Sequence, residues 1–238
     1  MKPKNWIIAL LLALAPAIIT LLLLSTHLDA RVSDFHPAWS DEVINWQEVN
    51  TFKQVGVNGG YFTYEEQTAT ADALHFGNHG AAFPILFGSL ARVFGWNLNS
   101  GPYYNLVLLG LALFLSALLV KPSGFQSLLW LLLVALASPV LLYAPTTMQE
   151  SLMHALGILL GAFILKLSVP GSKQLWVKVL ALLLVTLAAL LRLTWVVALF
   201  PIVYLMKETK SIKWAAVSVI LSLAATVVLY KIFSWWTA

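Results

Sequence analysis

The sequence predicts an all-α membrane protein: a polytopic helical bundle of about seven transmembrane helices with a large, partly helical first extracytoplasmic loop. Apolar residues make up 60% of the chain and charged residues 10%, whereas an average soluble domain has about 25% charged residues. The apolar residues form runs long enough to cross about 30 Å of hydrocarbon. One long polar segment, residues 29–102, follows the first run. These three observations together favour a helical bundle that carries one extracytoplasmic domain.

The first apolar run, Trp6–Leu28, follows Lys2 and Lys4 at the start of the chain. It is longer than the core of about 7–15 residues in a cleaved signal peptide. The residues around Asp29 also differ from the small-residue cleavage sites of such peptides. We therefore predict that residues 1–28 form a retained first transmembrane span.

Residues 29–102 form the predicted loop domain, which contains eight acidic and three basic residues. Ser40 is the predicted N-cap of its first helix, because a hydroxyl at this position can accept a hydrogen bond from a free backbone N–H. Asp41 and Glu42 would then occupy the first turn, and the helix would reach about Lys53.

A second loop helix is predicted over Ile85–Phe94. Pro84 can open this helix, because a proline at the first helical position loses no hydrogen bond, and Gly95 can end it. The helix is apolar apart from Ser89 and Arg92. We expect it to lie in the membrane interface or to pack on the bundle.

Five further apolar blocks make up the predicted transmembrane bundle, residues 103–238. They are Tyr104–Val120, Phe125–Tyr143, Ser151–Leu167, Leu175–Met206 and Trp214–Phe233. The fourth block is too long for one span and short for two spans of about 20 residues each.

Arg192 interrupts this fourth block, and lysines flank it on both sides. Those lysines are Lys166, Lys173, Lys178, Lys207, Lys210 and Lys213. Short loops rich in Lys and Arg lie on the cytoplasmic side of a membrane, so the chain must cross an even number of times between the two clusters. Two short helices that meet near Arg192 satisfy this condition. The prediction is seven spans, with the N-terminus cytoplasmic and residues 29–102 and Arg192 outside.

The acidic pair Asp41 and Glu42 has two interpretations. Acids in a first helical turn complement the helix dipole, by about 0.3–1 kcal/mol each. Alternatively, a carboxylate close to the membrane surface could accept a proton from an acceptor hydroxyl. Asp41, Asn45 and Glu48 also share one helical face.

Three other sets of residues could carry chemistry. His75 and His79 are either surface residues of a turn or the part of a loop that reaches a ligand phosphate or sugar. Glu150 and His154, one helical turn apart, are either interfacial anchors or ligands of one metal or substrate. Arg192 is either a turn residue that extends to the interface or a guanidinium that binds a phosphate by two hydrogen bonds.

Several classes of function lack support in the sequence. The chain contains no cysteine, so it has neither a disulfide framework nor a thiolate metal site. Its lysines flank apolar runs and form no basic patch with aromatic residues, which argues against a nucleic-acid partner. The sequence has no P-loop, no G-x-S-x-G and no H-E-x-x-H motif. We therefore expect no nucleotide cofactor.

The order of these motifs resembles the GT-C superfamily of membrane glycosyltransferases, in the style of dolichyl-phosphate-mannose mannosyltransferases and aminoarabinose transferases. Four stretches carry the resemblance: Pro37-Ala38-Trp39-Ser40-Asp41-Glu42, then His79-Gly80-Ala81-Ala82-Phe83-Pro84 with the helix that follows, then Glu150, then Arg192-Leu193-Thr194-Trp195. Ala81 stands where that family usually has proline. Seven spans correspond to the shared core of the family, whose members usually continue with more spans.

The resemblance implies transfer of a sugar from a polyprenyl-phosphate donor to a lipid, glycan or protein acceptor. The reaction would take place on the outer face of a bacterial inner (plasma) membrane, with inversion of the anomeric centre. Asp41, with its neighbour Glu42, would deprotonate the acceptor, and His75, His79 and Arg192 would bind the donor phosphate. A divalent metal near Glu150 and His154 is a further possibility that the resemblance raises.

Two other functions stay open at this stage. One is a truncated, non-catalytic protein built on the same core. The other is a transporter of lipid-linked glycans, in which we would expect ionisable residues near the middle of the bilayer or broken helices in paired halves. The sequence shows neither of those two features.

Overall fold

A computed structural model of the chain describes residues 3–58, 80–135, 137–169, 171, 174–208 and 211–236. Within these residues the secondary structure is helical, and no strand is present. The predicted all-α class is therefore confirmed for the part of the chain that is described.

Ten α-helices occur in these described ranges. They are α1 (Pro3–His27), α2 (Ser40–Val55), α3 (Ala82–Phe94), α4 (Ser100–Val120), α5 (Gly124–Trp130), α6 (Ser138–Tyr143), α7 (Glu150–Ser168), α8 (Leu175–Leu191), α9 (Leu199–Leu205) and α10 (Ile212–Trp236). A π-helical stretch, Leu131–Ala135, continues α5, and a 3₁₀ segment, Leu193–Ala198, leads into α9.

The chain forms two compact units. The first contains the described residues up to Gly56 together with Pro84–Leu159, and the second contains the described residues of Val57–Phe83 and those from Leu160 onwards. The domain boundaries predicted at residues 28 and 102 describe where the chain enters and leaves the membrane. The two compact units describe which residues pack together, so the predicted boundaries stay a prediction.

In the first unit, α1 packs most extensively against α4. The contact is lined by small side chains on α1, Ala9 and Ala15, and by Leu113 and Ala117 on α4. Gly110 brings the two backbones together, because a Cβ at this position would lie 2.7 Å from the carbonyl oxygen of Ala13. Small residues at such contacts allow helices in membranes to approach closely.

The predicted span Phe125–Tyr143 is not one regular helix. The helical stretch that begins with α5 runs to Ala135, and α6 begins at Ser138 with Pro139 in its first turn. Proline has no N–H to donate to the carbonyl four residues earlier, and its ring clashes with that carbonyl, so it fits the first turn of a helix but not the interior. Pro139 therefore accounts for the break.

The two loop helices form close to where they were predicted. The N-cap position of α2 is Trp39 rather than Ser40, so that detail of the prediction is wrong by one residue. The Ser40 hydroxyl donates to the Asp41 carboxylate at 3.4 Å instead of capping the helix. Helix α3 begins slightly earlier than predicted and ends, as predicted, before Gly95, where φ is +90°.

Helix α3 packs on the end of α2 through Gly88 and Arg92. A Cβ at Gly88 would lie 2.5 Å from the Phe52 ring, so glycine is needed for this contact. The Arg92 guanidinium donates to the carbonyl oxygens of Lys53 (3.1 Å) and Phe52 (3.0 Å) and lies 5.2 Å from the centre of the Phe52 ring. A cation at these terminal carbonyls complements the helix dipole.

In the second unit, helix α8 ends before Arg192, where the backbone is extended (φ −150°, ψ 116°). Helix α8 packs against the 3₁₀ segment that follows, and α10 packs against α9. The predicted pair of short helices meeting near Arg192 is therefore confirmed as a feature of the fold.

Four of the described helices are long and apolar enough to cross a membrane: Asn5–His27, Ser100–Val120, Glu150–Ser168 and Ile212–Trp235. They support the prediction of an integral membrane protein. Shorter apolar helices cover Gly124–Leu133, Leu175–Leu191 and Leu193–Leu205. Because these are shorter than the roughly 20 residues of a full span, the count of seven crossings stays a prediction.

Candidate functional site

Helix α2 has a buried face that is polar for most of its length. Glu42, Asn45 and Glu48 are 5%, 1% and 2% exposed, and only Val49 and Phe52 are apolar among its buried residues. Buried polar side chains are stabilised only when they are hydrogen-bonded. The partners of this face therefore indicate what α2 positions.

The Glu42 carboxylate joins two segments of the first unit. Its Oε2 accepts hydrogen bonds from the backbone N–H groups of Ala38 (3.0 Å) and Trp39 (3.2 Å), and its Oε1 accepts from that of Thr147 (2.8 Å). Hydrogen bonds to an ionised acceptor are stronger than those between neutral groups. Glu42 thus fixes the start of α2 against the turn that precedes α7.

The neighbouring Asp41 is in a different setting. Its side chain is half-buried, and among the described residues its hydrogen-bond partner is the Ser40 hydroxyl at 3.4 Å. A hydrogen bond of this length is weak. The Asp41 carboxylate therefore makes one weak hydrogen bond among the described residues, whereas the Glu42 carboxylate is engaged by three N–H groups.

The turn before α7 is held from both sides by asparagine amides. Asn45 Nδ2, on α2, donates to the Thr147 carbonyl at 3.4 Å, and Asn105 Nδ2, on α4, donates to the Thr146 carbonyl at 2.6 Å. Gly101 lets the turn lie against α4, because a Cβ there would lie 2.5 Å from Thr147 Oγ1. Helices α2 and α4 therefore meet at Thr146 and Thr147.

Asn45, Asn105, Thr147 and Ser151 form what we call the buried polar cluster. Each is at most 1% exposed. Sequence reasoning noted Asn45 but missed the other three. Asn105, an amide at the start of an apolar span, and the hydroxyls that flank Glu150 are signals that could have found them, because polar side chains within a span are costly without a purpose.

Glu150 and His154 begin α7, one helical turn apart as predicted. The His154 ring lies 6.3 Å from the ring of Tyr143 at the end of α6. In the described part of the chain, no three side chains of His, Cys, Asp or Glu come together as a metal site would require. Within the described residues the pair supplies two donors, fewer than the three protein ligands of a catalytic zinc site, and a divalent metal at this position stays a prediction.

Arg192 lies in the second unit, at the break between α8 and the 3₁₀ segment. Its backbone is fixed by two hydrogen bonds, from its own N–H to the Ala188 carbonyl (2.9 Å) and from Trp195 N–H to its carbonyl (3.0 Å). The side chain is exposed. A rigid backbone with an exposed guanidinium is a suitable arrangement for binding an anion.

Gly80, the residue after His79, also lies in the second unit. Gly80 has a φ of +79°, and a Cβ there would lie 3.0 Å from the Leu190 carbonyl and 2.9 Å from the Phe233 ring. Glycine is therefore required, and it places the chain beside the end of α8, two residues before Arg192. His75 and His79 themselves lie outside the described residues.

Comparisons of this chain with protein-family models, with curated proteins and with solved structures found no match. Its function is therefore inferred from its own residues and their geometry.

Proposed function

We propose that this chain is a GT-C-type glycosyltransferase that moves a sugar from a polyprenyl-phosphate donor to a hydroxyl acceptor. The observation that carries the proposal is the division within the acidic pair at the start of α2. Glu42 is buried and engaged by three N–H groups, while Asp41 is half-buried with one weak hydrogen bond. Glu42 is thus a positioning residue, and Asp41 is the base.

Asp41 takes the proton of the acceptor hydroxyl in this reaction. As the proton leaves, the acceptor oxygen forms a bond to the anomeric carbon, and the bond from that carbon to the phosphate oxygen breaks. The bonding electron pair goes to the phosphate, so direct displacement inverts the anomeric centre. A glycosidase needs a second carboxylic acid to protonate its leaving group. A phosphate leaves as an anion, so one base suffices.

Arg192 binds the departing phosphate. Its planar guanidinium can form two parallel hydrogen bonds to phosphate oxygens and stabilises the negative charge that develops there. Two backbone hydrogen bonds hold the turn that carries Arg192, and its exposed side chain can extend from this turn to a phosphate. His75 and His79, which lie outside the described residues, belong to the same proposal as donor-binding residues.

The proposed function also implies which membrane contains the chain and how the chain is oriented in it. The donor lipid places the reaction at the outer surface of a bacterial inner membrane, with residues 29–102 on that side and the N-terminus in the cytoplasm. The partners are the lipid donor, the surrounding membrane lipids and an acceptor whose hydroxyl Asp41 would activate.

The test is sugar transfer by the full chain in lipid nanodiscs, measured by mass spectrometry. Donors are polyprenyl phosphates carrying defined sugars, acceptors are membrane lipid and glycan extracts, and each reaction is run with and without a chelator. We expect a product that depends on Asp41, with Gln47→Ala, an exposed change on the same helix, as the matched control. Absence of product with every donor would reject the enzyme and favour a non-catalytic protein of the same fold.

A further inference from the structure

The buried polar cluster contains two asparagines. Asn105 is oriented by a short hydrogen bond of 2.6 Å, and Asn45 by a long and weaker one of 3.4 Å. Asn45 and Asn105 each direct an amide nitrogen at a backbone carbonyl of the turn before α7. Since a carbonyl can only accept, the nitrogen of each amide must be the atom that faces it. Each Oδ1 is therefore an acceptor that points elsewhere, and neither has a hydrogen-bond partner among the described residues.

Two hydroxyls complete this set of oxygens. Thr147 Oγ1 and Ser151 Oγ are also buried and also have no partner within the described part of the chain. Folded proteins pair nearly all of their buried polar atoms. The Asn45 and Asn105 amides contact the turn that contains Thr147, and Ser151 lies in the first turn of the helix that follows. Four buried oxygens without a partner in one region need an explanation, and a bound ligand that supplies the missing donors is one.

The residues beside the cluster show how a ligand would reach it. Asp41 lies one helical turn from Asn45, Thr146 precedes Thr147, and Glu150 precedes Ser151. All three of these neighbours are half-buried. The buried cluster is therefore flanked in the chain by half-buried residues, and one of them is the proposed base.

The chemistry of the four oxygens selects the ligand. Two of them can only accept hydrogen bonds, and the other two accept as readily as they donate. A phosphate, which also accepts, would find no dedicated donor here. Three carboxylates lie close to the set in the chain. Glu42 is engaged by three N–H groups, and Glu48 on α2 and Glu150 beside Ser151 also have buried oxygens. These acids add acceptors and negative charge, which makes an anion still less suitable. A neutral group with several hydroxyl donors, which is a sugar, fits this set best.

We propose that the buried polar cluster binds the sugar hydroxyls of the lipid-linked donor, an inference that rests on the proposed function. The subsite would hold the sugar about one helical turn, or roughly 5–6 Å, from Asp41. The phosphate is common to all such donors, so the cluster would distinguish one sugar from another.

The test compares the binding of two lipids to the full chain in nanodiscs. One is a short polyprenyl phosphate, and the other is the same lipid carrying mannose, glucose or galactose. We expect at least one sugar-bearing lipid to bind about tenfold more tightly than the bare lipid phosphate. Arg192→Ala should weaken the binding of both lipids by a similar factor.

Thr147→Val and Ser151→Ala isolate the cluster without removing any hydrogen bond within the protein. Both change a hydroxyl that has no partner in the described residues, so the melting temperature should stay the same or rise. Each variant should lower the preference for the sugar-bearing lipid by about threefold to tenfold. Gln47→Ala, on the exposed side of α2, should leave the preference unchanged.

Equal binding of all the lipids by the unaltered chain would overturn the inference, and so would variants that keep the full preference. The cluster would then hold water only. The outcome also separates the two proposals. If the chain prefers a sugar-bearing lipid but transfers no sugar, the proposed enzyme is wrong and the proposed subsite stands. If the chain transfers sugar and the variants keep the full preference, the enzyme stands and the subsite is wrong.

Discussion

At the scale of single residues, Asp41 and Glu42 show how adjacent acids on one helix acquire different roles. Successive side chains in an α-helix point about 100° apart, so one of the pair faces the turn before α7 and the other does not. Glu42 is 5% exposed and Asp41 is half-buried. Contact with that turn, rather than residue type, therefore distinguishes the structural acid from the candidate base.

Asp41→Asn tests the proposed base. The amide cannot take a proton, so we expect transfer to fall by about 10²–10⁴-fold, the usual contribution of a general base. The melting temperature should hardly change, because the one described hydrogen bond of Asp41 is long. Transfer rates and thermal unfolding, measured on the same detergent preparation, check both expectations. Near-normal transfer would remove Asp41 from the role.

Glu42→Gln should lower the stability of the protein and leave sugar transfer largely intact, the reverse of what we expect for Asp41→Asn. The new amide NH2 would face a backbone N–H where a carboxylate oxygen now accepts, and a buried donor would lose its partner. We expect a loss of stability of about 1–3 kcal/mol, visible as a lower melting temperature. Any residual folded protein should still transfer sugar. A variant of normal stability that has lost all transfer would instead assign Glu42 to the chemistry.

Arg192 can be tested by two substitutions of different severity. Lysine keeps the positive charge but cannot form the planar pair of hydrogen bonds. We expect Arg192→Lys to lose nearly as much affinity for polyprenyl phosphate as Arg192→Ala, as measured by titration in nanodiscs. If lysine retains most of the affinity, a point charge is sufficient. If alanine also binds normally, Arg192 is a turn residue without a phosphate role.

At the scale of helices, the close contact between α1 and α4 depends on one glycine, Gly110, which has no side chain. Gly110 sits against the carbonyl oxygen of Ala13, and alanines line the contact on both sides. Helix α4 also carries Gly101 and Asn105, which hold the turn before α7. The packing of α1 on α4 therefore supports the position of the buried polar cluster.

Two glycines inside helices make a matched pair for testing this contact. Gly110→Ala forces a Cβ to within 2.7 Å of the Ala13 carbonyl, and we expect a loss of about 1–3 kcal/mol from overpacking. A Cβ at Gly161, in α7, would have no described atom outside its own helix within 4 Å. Gly161→Ala should therefore be neutral or stabilising by up to about 1 kcal/mol. Equal melting temperatures for the two variants would contradict the close contact.

At the scale of the whole molecule, the number of membrane crossings is the main prediction still to be tested. If only the four long helices crossed and the N-terminus were cytoplasmic, the chain would pass outward along α7 and stay outside until α10. With seven crossings, it returns to the cytoplasm before α10. The loop between α9 and α10 therefore distinguishes the two arrangements.

The absence of cysteine makes this loop easy to probe. Single cysteines can be introduced at four exposed positions, Ser33, Ser123, Thr194 and Ser211, and labelled in intact spheroplasts with a membrane-impermeant maleimide. We expect labelling at Ser33→Cys and Thr194→Cys without permeabilisation, and at Ser123→Cys and Ser211→Cys only after it. Labelling of Ser211→Cys in intact cells would reject seven crossings, and a protected Thr194→Cys would reject an outer Arg192.

The helices themselves were predictable from the sequence because their causes are local. Each sequence signal affects only the residues close to it in the chain. Examples are the runs of apolar residues, Gly95 after α3 and Arg192 in the long fourth block. Pro139 was an equally local signal that the sequence analysis passed over, and it accounts for the break between α5 and α6. Ser40 was misplaced by one residue. The N-cap residue Trp39 makes no side-chain cap hydrogen bond, and the Glu42 carboxylate accepts from the N–H groups of Ala38 and Trp39 at this helix start.

Composition and local patterns predicted the helical class, the apolar helices and the place of the acidic pair at the start of α2. Packing between distant segments established that three N–H groups engage Glu42 but not Asp41, and that Asn45 and Asn105 converge on one turn. Asn45 and Thr147 are 102 residues apart in the chain. Periodicity and capping act over a few residues, whereas the partners of a buried polar atom are set by packing between distant segments, and a linear pattern carries no record of that packing.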